Sequence, residues 1–437
     1  MRRADGMMFL RLMCFICGFV ASVAMAQEFV PPMPDDLERT RISLLTVGLG
    51  TDLYARYGHT MLRIEDPSHN LDYLVNWGIF DFSDPMFVPK FFRGILIYKM
   101  GFSGTKSTIR YYEQVERRSV DQDEMALTSK QKRALMEKII WNAQPENVDY
   151  PYQYFRNNCA TKPRDYLDTV LGGAVSRQFS GEKTSLTYRD YVRSNLSNNM
   201  YVAWGLDIIF NGDNDHLLSK WDEMFYPLKL REYLAQMRAV DDEGQPDPGN
   251  TLLLNHRVLV DIPSPAVSDI DGYKVAWLVA GLPLGAVLIS LLARGRKGLR
   301  PAALPWHHRV FGIITLWWGL TVGFFGLTHF SGWAFSSHTD LHRNINILLF
   351  WPVEMLVLTL GVQMGIFGRG WNFKGRLRIG FWRKFAIIHI IFIPIYAVAG
   401  LSGIFAQDVS RVVGYMAPLS LLYYVVMARL TEASSSN

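Results

Sequence analysis

The sequence predicts a mixed α and β domain outside the cytoplasm, followed by an α-helical bundle in the membrane. Three observations support this fold class: an export signal at the N-terminus, strand and helix signals over 27–262, and five long apolar stretches after residue 272. The net charge is only +5 over 437 residues. Because no stripe of alternating basic and aromatic residues is evident, the sequence gives no indication of a nucleic-acid partner.

The first 26 residues have the pattern of a secretory signal peptide. Arg2, Arg3 and Arg11 accompany a short apolar core, and Ala24-Met25-Ala26 forms a small-x-small cleavage site. An uncleaved anchor is the alternative, which the short apolar core disfavours. We therefore expect the mature chain to begin near Gln27, outside the cytoplasm.

The apolar stretches predict five membrane spans, because each is long enough to cross a bilayer. They are 273–292, 312–332, 345–366, 385–405 and 412–430. The loops at 294–300 and 369–384 are strongly basic, whereas the alternate loops are nearly neutral. By the positive-inside rule the basic loops and the C-terminus are cytoplasmic. The predicted divisions are a signal peptide (1–26), a periplasmic domain (27–262), a linker (263–272) and a membrane domain (273–437).

Local signals within the soluble domain predict three strands and two helices. The strands are expected at 43–49, 60–64 and 71–77, the last two joined as a hairpin by the turn residues 66–70. Thr128 followed by Gln131 is a capping box that opens a helix to about residue 143. A second helix is expected to start near Cys159, with Asn157, Asn158 or Thr161 as its cap, and to end at Gly172-Gly173.

Cys159 is the single cysteine that remains after signal cleavage, since Cys14 and Cys17 lie in the signal. Exported proteins normally pair their thiols, so a lone thiol is either buried and inert or kept for its reactivity. A helix N-terminus or a nearby imidazole lowers the pKa of a thiol and so favours the nucleophilic thiolate. Cys159 is therefore a candidate nucleophile, with an ordinary core cysteine as the alternative.

His59 is the candidate base, because it lies where the first hairpin strand begins and a strand end holds a side chain rigidly. Asn76, near the end of the partner strand, could orient the imidazole, with Asp81 and Asp52 as alternatives. His59 could equally be a histidine with only a structural role. Spacing by itself leaves both readings open.

Three motifs together carry a family resemblance. Tyr57-Gly58-His59, Asn76-Trp77-Gly78 and Asn157-Asn158-Cys159-Ala160-Thr161 resemble the periplasmic domain of the Lnb family of bacterial lipoprotein N-acyltransferases. The order of histidine on a strand and cysteine at a helix start is also similar to circularly permuted, papain-like NlpC folds. The resemblance implies a thiol acyltransferase in the inner membrane with Cys159, His59 and Asn76 as catalytic residues. A phospholipid would donate the acyl chain and the amino terminus of a lipoprotein would accept it.

Other polar residues are candidates for substrate binding. They are Tyr57, Asn158, Arg164, His338, Asn344 and Asn346. The alternative for Arg164 is a salt bridge, and for the residues after 336 it is capping and locking of helices. Tyr112, Arg117, Asp207 and Asp215 could hold the fold or shape the pocket.

Two other function classes remain open. A thiol peptidase or amidase of the cell envelope would use the same cysteine and histidine, although five spans would exceed the anchoring it needs. A membrane scaffold without catalysis would use Cys159 as a core residue. The mechanism requires no cofactor, and no His-Glu-x-x-His or cysteine and histidine cluster predicts a metal site.

Overall fold

The computed structural model describes the chain from residue 30 to residue 432 with gaps. The described residues are 30–80, 86, 90, 93, 95–197, 199–267, 281, 284–291, 306–369, 372–373, 376–377 and 379–432. The predicted signal peptide lies outside them. The chain forms two compact units: the first contains residues up to 91, 95–186 and 217–266, and the second contains 92–94, 187–216 and 267–437.

The first unit is built on a seven-stranded antiparallel sheet. Its strands are β1 (Arg41–Val47), β2 (His59–Asp66), β3 (Leu71–Ile79), β4 (Ile97–Gly104), β5 (Val120–Met125), β6 (Asp149–Pro151) and β9 (Leu253–Val260). They lie in the order β6-β4-β3-β2-β1-β5-β9. A separate two-stranded sheet pairs β7 (Arg238–Val240) with β8 (Pro246–Thr251). The predicted α and β character is confirmed.

The hairpin of β2 and β3 is the one predicted from the sequence. The strands pair antiparallel from Asp66↔Leu71 to Met61↔Asn76. In the turn, Asp66 Oδ1 accepts a hydrogen bond from the Ser68 amide at 2.9 Å, and Asn70 takes a left-handed conformation with φ of 51°. These are the properties for which asparagine and aspartate are favoured in turns. The pairing brings His59 and Asn76 to the same end of the hairpin.

Both faces of the sheet are covered by apolar side chains. The larger core packs residues such as Leu44, Leu62 and Val75 against the helices, and each of these three has 0% exposure. The opposite face forms a smaller cluster that includes Leu45, Met61 and Leu74. Alternation along each strand explains this division, because successive side chains of a strand point to opposite faces.

Most helices of the first unit cover the larger core, whereas Ile109 of α1 (Thr105–Tyr111) packs against the smaller cluster. The helices on the larger core are α2 (Ser129–Asn142), α3 (Thr161–Val170), α4 (Ala174–Phe179), α7 (Lys220–Glu223) and α8 (Pro227–Gln236). The predicted capping box of Thr128 and Gln131 is present at the start of α2. Pro163 lies in the first turn of α3, where the missing N–H of proline has no intrahelical partner to lose.

Residues 187–216, which the sequence groups with the periplasmic domain, belong to the second unit. They form α5 (Tyr188–Asn195) and α6 (Met200–Ile209). Arg189 and Arg193 of α5 bind Asp207 and Asp215, and Arg193 also pairs with Asp408 at 2.8 Å. The last of these ion pairs joins residues 215 positions apart in sequence, which explains why local signals do not predict the division.

Among the described residues, three helices of the second unit are long and apolar enough to cross a membrane. They are α9 (Trp306–Phe335), the 381–401 part of α11 (Ile379–Leu401) and the 410–429 part of α12 (Ser410–Glu432). In place of the predicted third span, 345–366, the structure has two helical segments, Thr339–Leu348 and Pro352–Ile366, whose axes are bent by 65° relative to each other. The second segment includes α10 (Val357–Gly361). Pro352 begins the second segment, since proline cannot continue the first. The predicted first span, 273–292, lies largely outside the described residues, within which 284–291 are helical.

Candidate active site

Cys159 lies two residues before α3, against the strand that carries Asn76. A Cβ placed on Gly78 would lie 3.8 Å from the Cβ of Cys159, and Gly78 has a φ of 99°. Glycine at position 78 therefore allows the backbone conformation, and the 3.8 Å distance is an ordinary packing contact with the cysteine. The thiol is half-buried and forms no disulfide. The backbone N–H of Thr60, the residue after His59, hydrogen-bonds to the Cys159 sulfur.

His59 is hydrogen-bonded to Asn76, as the hairpin pairing predicts. The Nε2 of His59 lies 3.1 Å from Oδ1 of Asn76, while Nδ2 of Asn76 donates to the Ser103 hydroxyl at 3.1 Å. Because Oδ1 can only accept, the proton of the neutral imidazole lies on Nε2. Nδ1 of His59 then has the free lone pair that a general base requires.

Burial controls the protonation of both groups. Burial lowers the pKa of His59 to about 4, the hydrogen bond that His59 donates to Asn76 opposes that change, and the charge of Arg118 adds to it. Burial raises the pKa of Cys159 to about 11, although the N–H of Thr60 and the charge of Arg118 both lower it. At neutral pH the resting pair is therefore a thiol beside a neutral imidazole. A neutral imidazole is the form that can accept a proton.

We expect alkylation of Cys159 by iodoacetamide to be about two orders of magnitude slower at pH 8 than for an ordinary free thiol. The reason is that the pKa of about 11 leaves a small fraction of thiolate, which grows about tenfold for each pH unit up to pH 10. Peptide mapping of the alkylated full chain measures this, with urea-unfolded protein as the control. A plateau of fast alkylation between pH 5 and 8 would contradict it, because that profile indicates a preformed ion pair.

Replacing Asn76 by alanine is expected to lower the reaction rate at this site about 10-fold to 100-fold, because the imidazole loses the group that fixes its tautomer. Asn76→Asp keeps an acceptor and adds a negative charge, so it should raise the pKa of His59 and move the acid limb of the rate profile from about pH 4 toward neutral pH. Asn250→Ala, a change of an exposed residue of β8, is the control. Equal rates and profiles for wild type and both Asn76 variants would contradict the assignment.

Arg118 is a site residue that the sequence analysis missed. Its side chain is 3% exposed, and its Nε donates to the carbonyl of Gly48 at 2.8 Å. Sequence reasoning instead selected Arg117, which is exposed, has a left-handed backbone and donates to the carbonyl of Glu113. No sequence signal identifies Arg118, because the residues of β5 that follow it are mostly acidic or amide side chains, which do not favour strands, and only the pairing of β5 with β1 brings it to the site.

The first-unit residues predicted to bind substrate have structural contacts. Asn158 accepts from the amides of Ala160 and Thr161, each at 2.9 Å, and donates to the carbonyls of Tyr154 and Phe225. Tyr57 packs against the rings of Phe225 and Tyr226. Ala160 is the N-cap residue of α3, and Asn158 satisfies two amides at the start of that helix. Substrate binding by Asn158 and by Tyr57 stays a prediction.

Arg164 forms a salt bridge, which is the alternative to substrate binding that the sequence leaves open for it. Its guanidinium binds Asp165 at 2.7 Å and lies over the ring of Trp221, 3.9 Å from the centroid.

Of the alternatives for orienting His59, Asp52 is exposed and Asp81 lies outside the described residues. Within the described ranges, no group of three or more His, Cys, Asp or Glu side chains is placed to hold a metal ion.

The predicted residues of the second unit are also engaged. Asn344 donates to the carbonyls of Ile208 and Ile209 at 2.9 and 2.7 Å, and Asn346 donates to that of Ile208 at 2.8 Å. The two asparagines thus satisfy carbonyls at the C-terminal end of α6, which matches the capping alternative. His338 is buried in the same unit, and substrate binding by these three residues stays a prediction.

Comparison with known protein families gives one match. Residues 34–194 match the Lnb N-terminal periplasmic domain, which confirms the resemblance found in the motifs. This range contains Cys159, His59, Asn76 and Arg118. No curated protein and no solved structure matches the chain. The match and the apolar helices together support an inner-membrane protein with a periplasmic domain.

Proposed function

We propose that this protein is a thiol acyltransferase of the inner membrane. It would move an acyl chain from a phospholipid, through a thioester on Cys159, to the amino terminus of a lipoprotein. The observation that carries the proposal is the half-buried Cys159 packed against the hairpin end, where His59 is hydrogen-bonded to Asn76. A periplasmic domain of the Lnb type attached to apolar helices supports the choice of a lipid donor.

In the first half-reaction His59 Nδ1 takes the proton of Cys159 while the sulfur attacks the ester carbonyl carbon. The C–S bond forms, and the carbonyl electron pair moves to oxygen. When the tetrahedral intermediate collapses, the lysophospholipid leaves as an alkoxide and receives the proton from His59. Asn76 holds the imidazole in one tautomer through both proton transfers.

In the second half-reaction a neutral amine attacks the thioester carbonyl. His59 accepts the amine proton and returns it to the departing sulfur, so the amide forms and Cys159 is regenerated. The low pKa of His59 keeps the imidazole neutral, and so able to accept a proton, at the start of each half-reaction, and it also makes the imidazole a weak base. The order of histidine on a strand and cysteine before a helix supports a papain-like relationship as part of the proposal.

The membrane unit serves the same purpose in this proposal. Acyl chains of phospholipids stay within the bilayer, so a catalytic domain anchored in the membrane remains close to its donor. The basic residues at 369–384 indicate that this loop is cytoplasmic, and we place the C-terminus on the same side.

The test is transfer in reconstituted vesicles. Purified full-length protein is incubated with ester-linked phospholipid and a lipopeptide that has a diacylglyceryl cysteine with a free amino terminus. We expect one acyl chain on the peptide for each lysophospholipid released. Vesicles of ether-linked phospholipid are the matched control, since they offer the same surface without an ester. Peptide cleavage in both vesicle types, without acyl transfer, would overturn the proposal in favour of a peptidase.

A further inference from the structure

We propose that Arg118 is the anion-binding residue of the thiol site, and that its Nη2 receives a negatively charged oxygen of the substrate. This inference rests on the proposed function for the identity of the substrate. The anionic oxygen has two sources in such a reaction. One is the oxyanion that forms on the carbonyl when Cys159 attacks, and the other is the phosphodiester of the donor.

The sheet places Arg118 beside the catalytic pair. Val47 at the end of β1 pairs with His59 on one side and with Val120 on the other. Val47 thus lies between His59 of β2 and Val120 of β5, and Arg118 lies two residues before Val120. Its charge is close enough to Cys159 and to His59 to lower the pKa of each, in addition to the larger effect of burial.

Two of the three guanidinium nitrogens of Arg118 are fixed by the protein. Nε donates to Gly48 O at 2.8 Å, and Nη1 donates to Oε2 of Glu116 at 3.2 Å. Nη2 is buried and has no hydrogen-bond partner among the described residues. A buried, charged donor without a partner is costly, so the feature suggests a group that is completed by a ligand.

The surroundings hold Arg118 in one orientation. Its guanidinium lies over the ring of Tyr112, 5.4 Å from the centroid, and a Cβ on Gly50 would come within 3.0 Å of its Cδ. Glu116 is itself held by the hydroxyls of Tyr54 and Tyr111, at 2.7 and 3.2 Å. Glu116 ends a π-helical turn, Tyr112–Glu116, a distortion that is frequent at functional sites. A fixed donor is what stabilisation of a developing charge requires.

Oε2 of Glu116 accepts a hydrogen bond from Arg118, and Oε1 accepts from the hydroxyls of Tyr54 and Tyr111. Three donors therefore share the negative charge of Glu116. Arg118 therefore keeps part of its positive charge for the site. During attack, the carbonyl electron pair moves to oxygen and Nη2–H donates to that oxygen. When the intermediate collapses, the pair returns to re-form the carbonyl, and Arg118 keeps its proton throughout.

The test uses two alkylating reagents of similar size, anionic iodoacetate and neutral iodoacetamide, on the full-length protein. A cationic donor beside Cys159 attracts the anionic reagent. We expect Arg118→Gln to lower the iodoacetate-to-iodoacetamide rate ratio about fivefold to tenfold. Arg118→Lys should retain most of the ratio. Arg63→Gln is the matched control, because Arg63 is a half-buried arginine of β2 that binds Asp72. This readout needs no acyl donor, so it is independent of the proposed function.

A second variant separates loss of charge from loss of folding. Glu116→Gln removes the carboxylate that offsets Arg118, so the ratio should rise about threefold, a direction that unfolding cannot produce. An unchanged ratio in both Arg118→Gln and Glu116→Gln would overturn the proposal.

Two acyl donors then identify the source of the anion. If Arg118→Gln slows acylation of Cys159 by a neutral p-nitrophenyl ester as much as by phospholipid, the ligand is the oxyanion. If only the phospholipid reaction is slowed, through a higher KM, the ligand is the phosphodiester. Equal rates for wild type and Arg118→Gln with both donors would overturn the assignment of Arg118 to substrate.

Discussion

Replacing Cys159 by alanine is expected to abolish acyl transfer, with a rate at least about 10⁴-fold below that of the wild type. The proposed mechanism has no other nucleophile, because in it the acyl chain passes through the sulfur of this residue. Cys159→Ser should be nearly as inactive. A serine hydroxyl ionises far less readily than a thiol, and the pKa of about 4 makes His59 a weak base toward it.

Loss of activity in these variants has to be separated from loss of folding. Cys159 is half-buried and next to Gly78, so the alanine variant removes one sulfur atom without leaving a large cavity. We therefore expect the unfolding transition in detergent, followed by tryptophan fluorescence, to match that of the wild type. A folded Cys159→Ala protein that still transfers acyl chains would contradict the assignment of Cys159 as the nucleophile.

Replacing Arg189 by methionine is expected to destabilise the second unit by about 3–5 kcal/mol. Arg189 is 1% exposed and binds Asp215 through two nitrogens, at 2.5 and 3.0 Å. It also donates to the carbonyls of Asp207, Phe210 and Asn211 at the end of α6. Methionine fills similar volume but leaves the Asp215 carboxylate buried without its cation. Asp207 keeps Arg193 at 2.9 Å, so the uncompensated charge is that of Asp215.

The measurement is denaturant unfolding of the detergent-solubilised protein, with proteolysis of 187–216 as a local probe. Arg177→Met, a change of an exposed arginine on α4, is the control and should alter stability by less than about 0.5 kcal/mol. Adding Asp215→Asn to Arg189→Met should restore part of the loss, because it removes the buried charge. If Arg189→Met unfolds like the wild type, the ion pairs do not stabilise this unit.

Local sequence signals predicted the elements that local physical chemistry determines. The β2–β3 hairpin follows from alternating apolar residues around an Asp66 and Asn70 turn, and the start of α2 follows from the Thr128 capping box. The approach of His59 and Asn76 was predictable for the same reason, since both lie on one hairpin. Cys159 required a further inference, because only the chemistry of an exported lone thiol connects it with that hairpin.

Features that depend on distant pairing were not predictable in this way. Arg118 reaches the site through the pairing of β1 with β5, whose partners are more than 70 residues apart, and no motif marks it. The division at 187–216 depends on ion pairs such as Arg193–Asp408. The break in the predicted span 345–366 follows from Pro352 within a predominantly apolar stretch, and hydropathy averaged over a window conceals it.

The most direct test of the central claim is the intact mass of the protein after incubation with ester-linked phospholipid vesicles in the absence of an acceptor amine. Wild type and Cys159→Ser are compared before and after treatment with hydroxylamine. The proposed mechanism predicts an added acyl mass on the wild type alone, located at Cys159 and removed by hydroxylamine. An unmodified wild type under conditions in which the same preparation releases lysophospholipid would contradict the thioester, and with it the assignment of Cys159 as nucleophile.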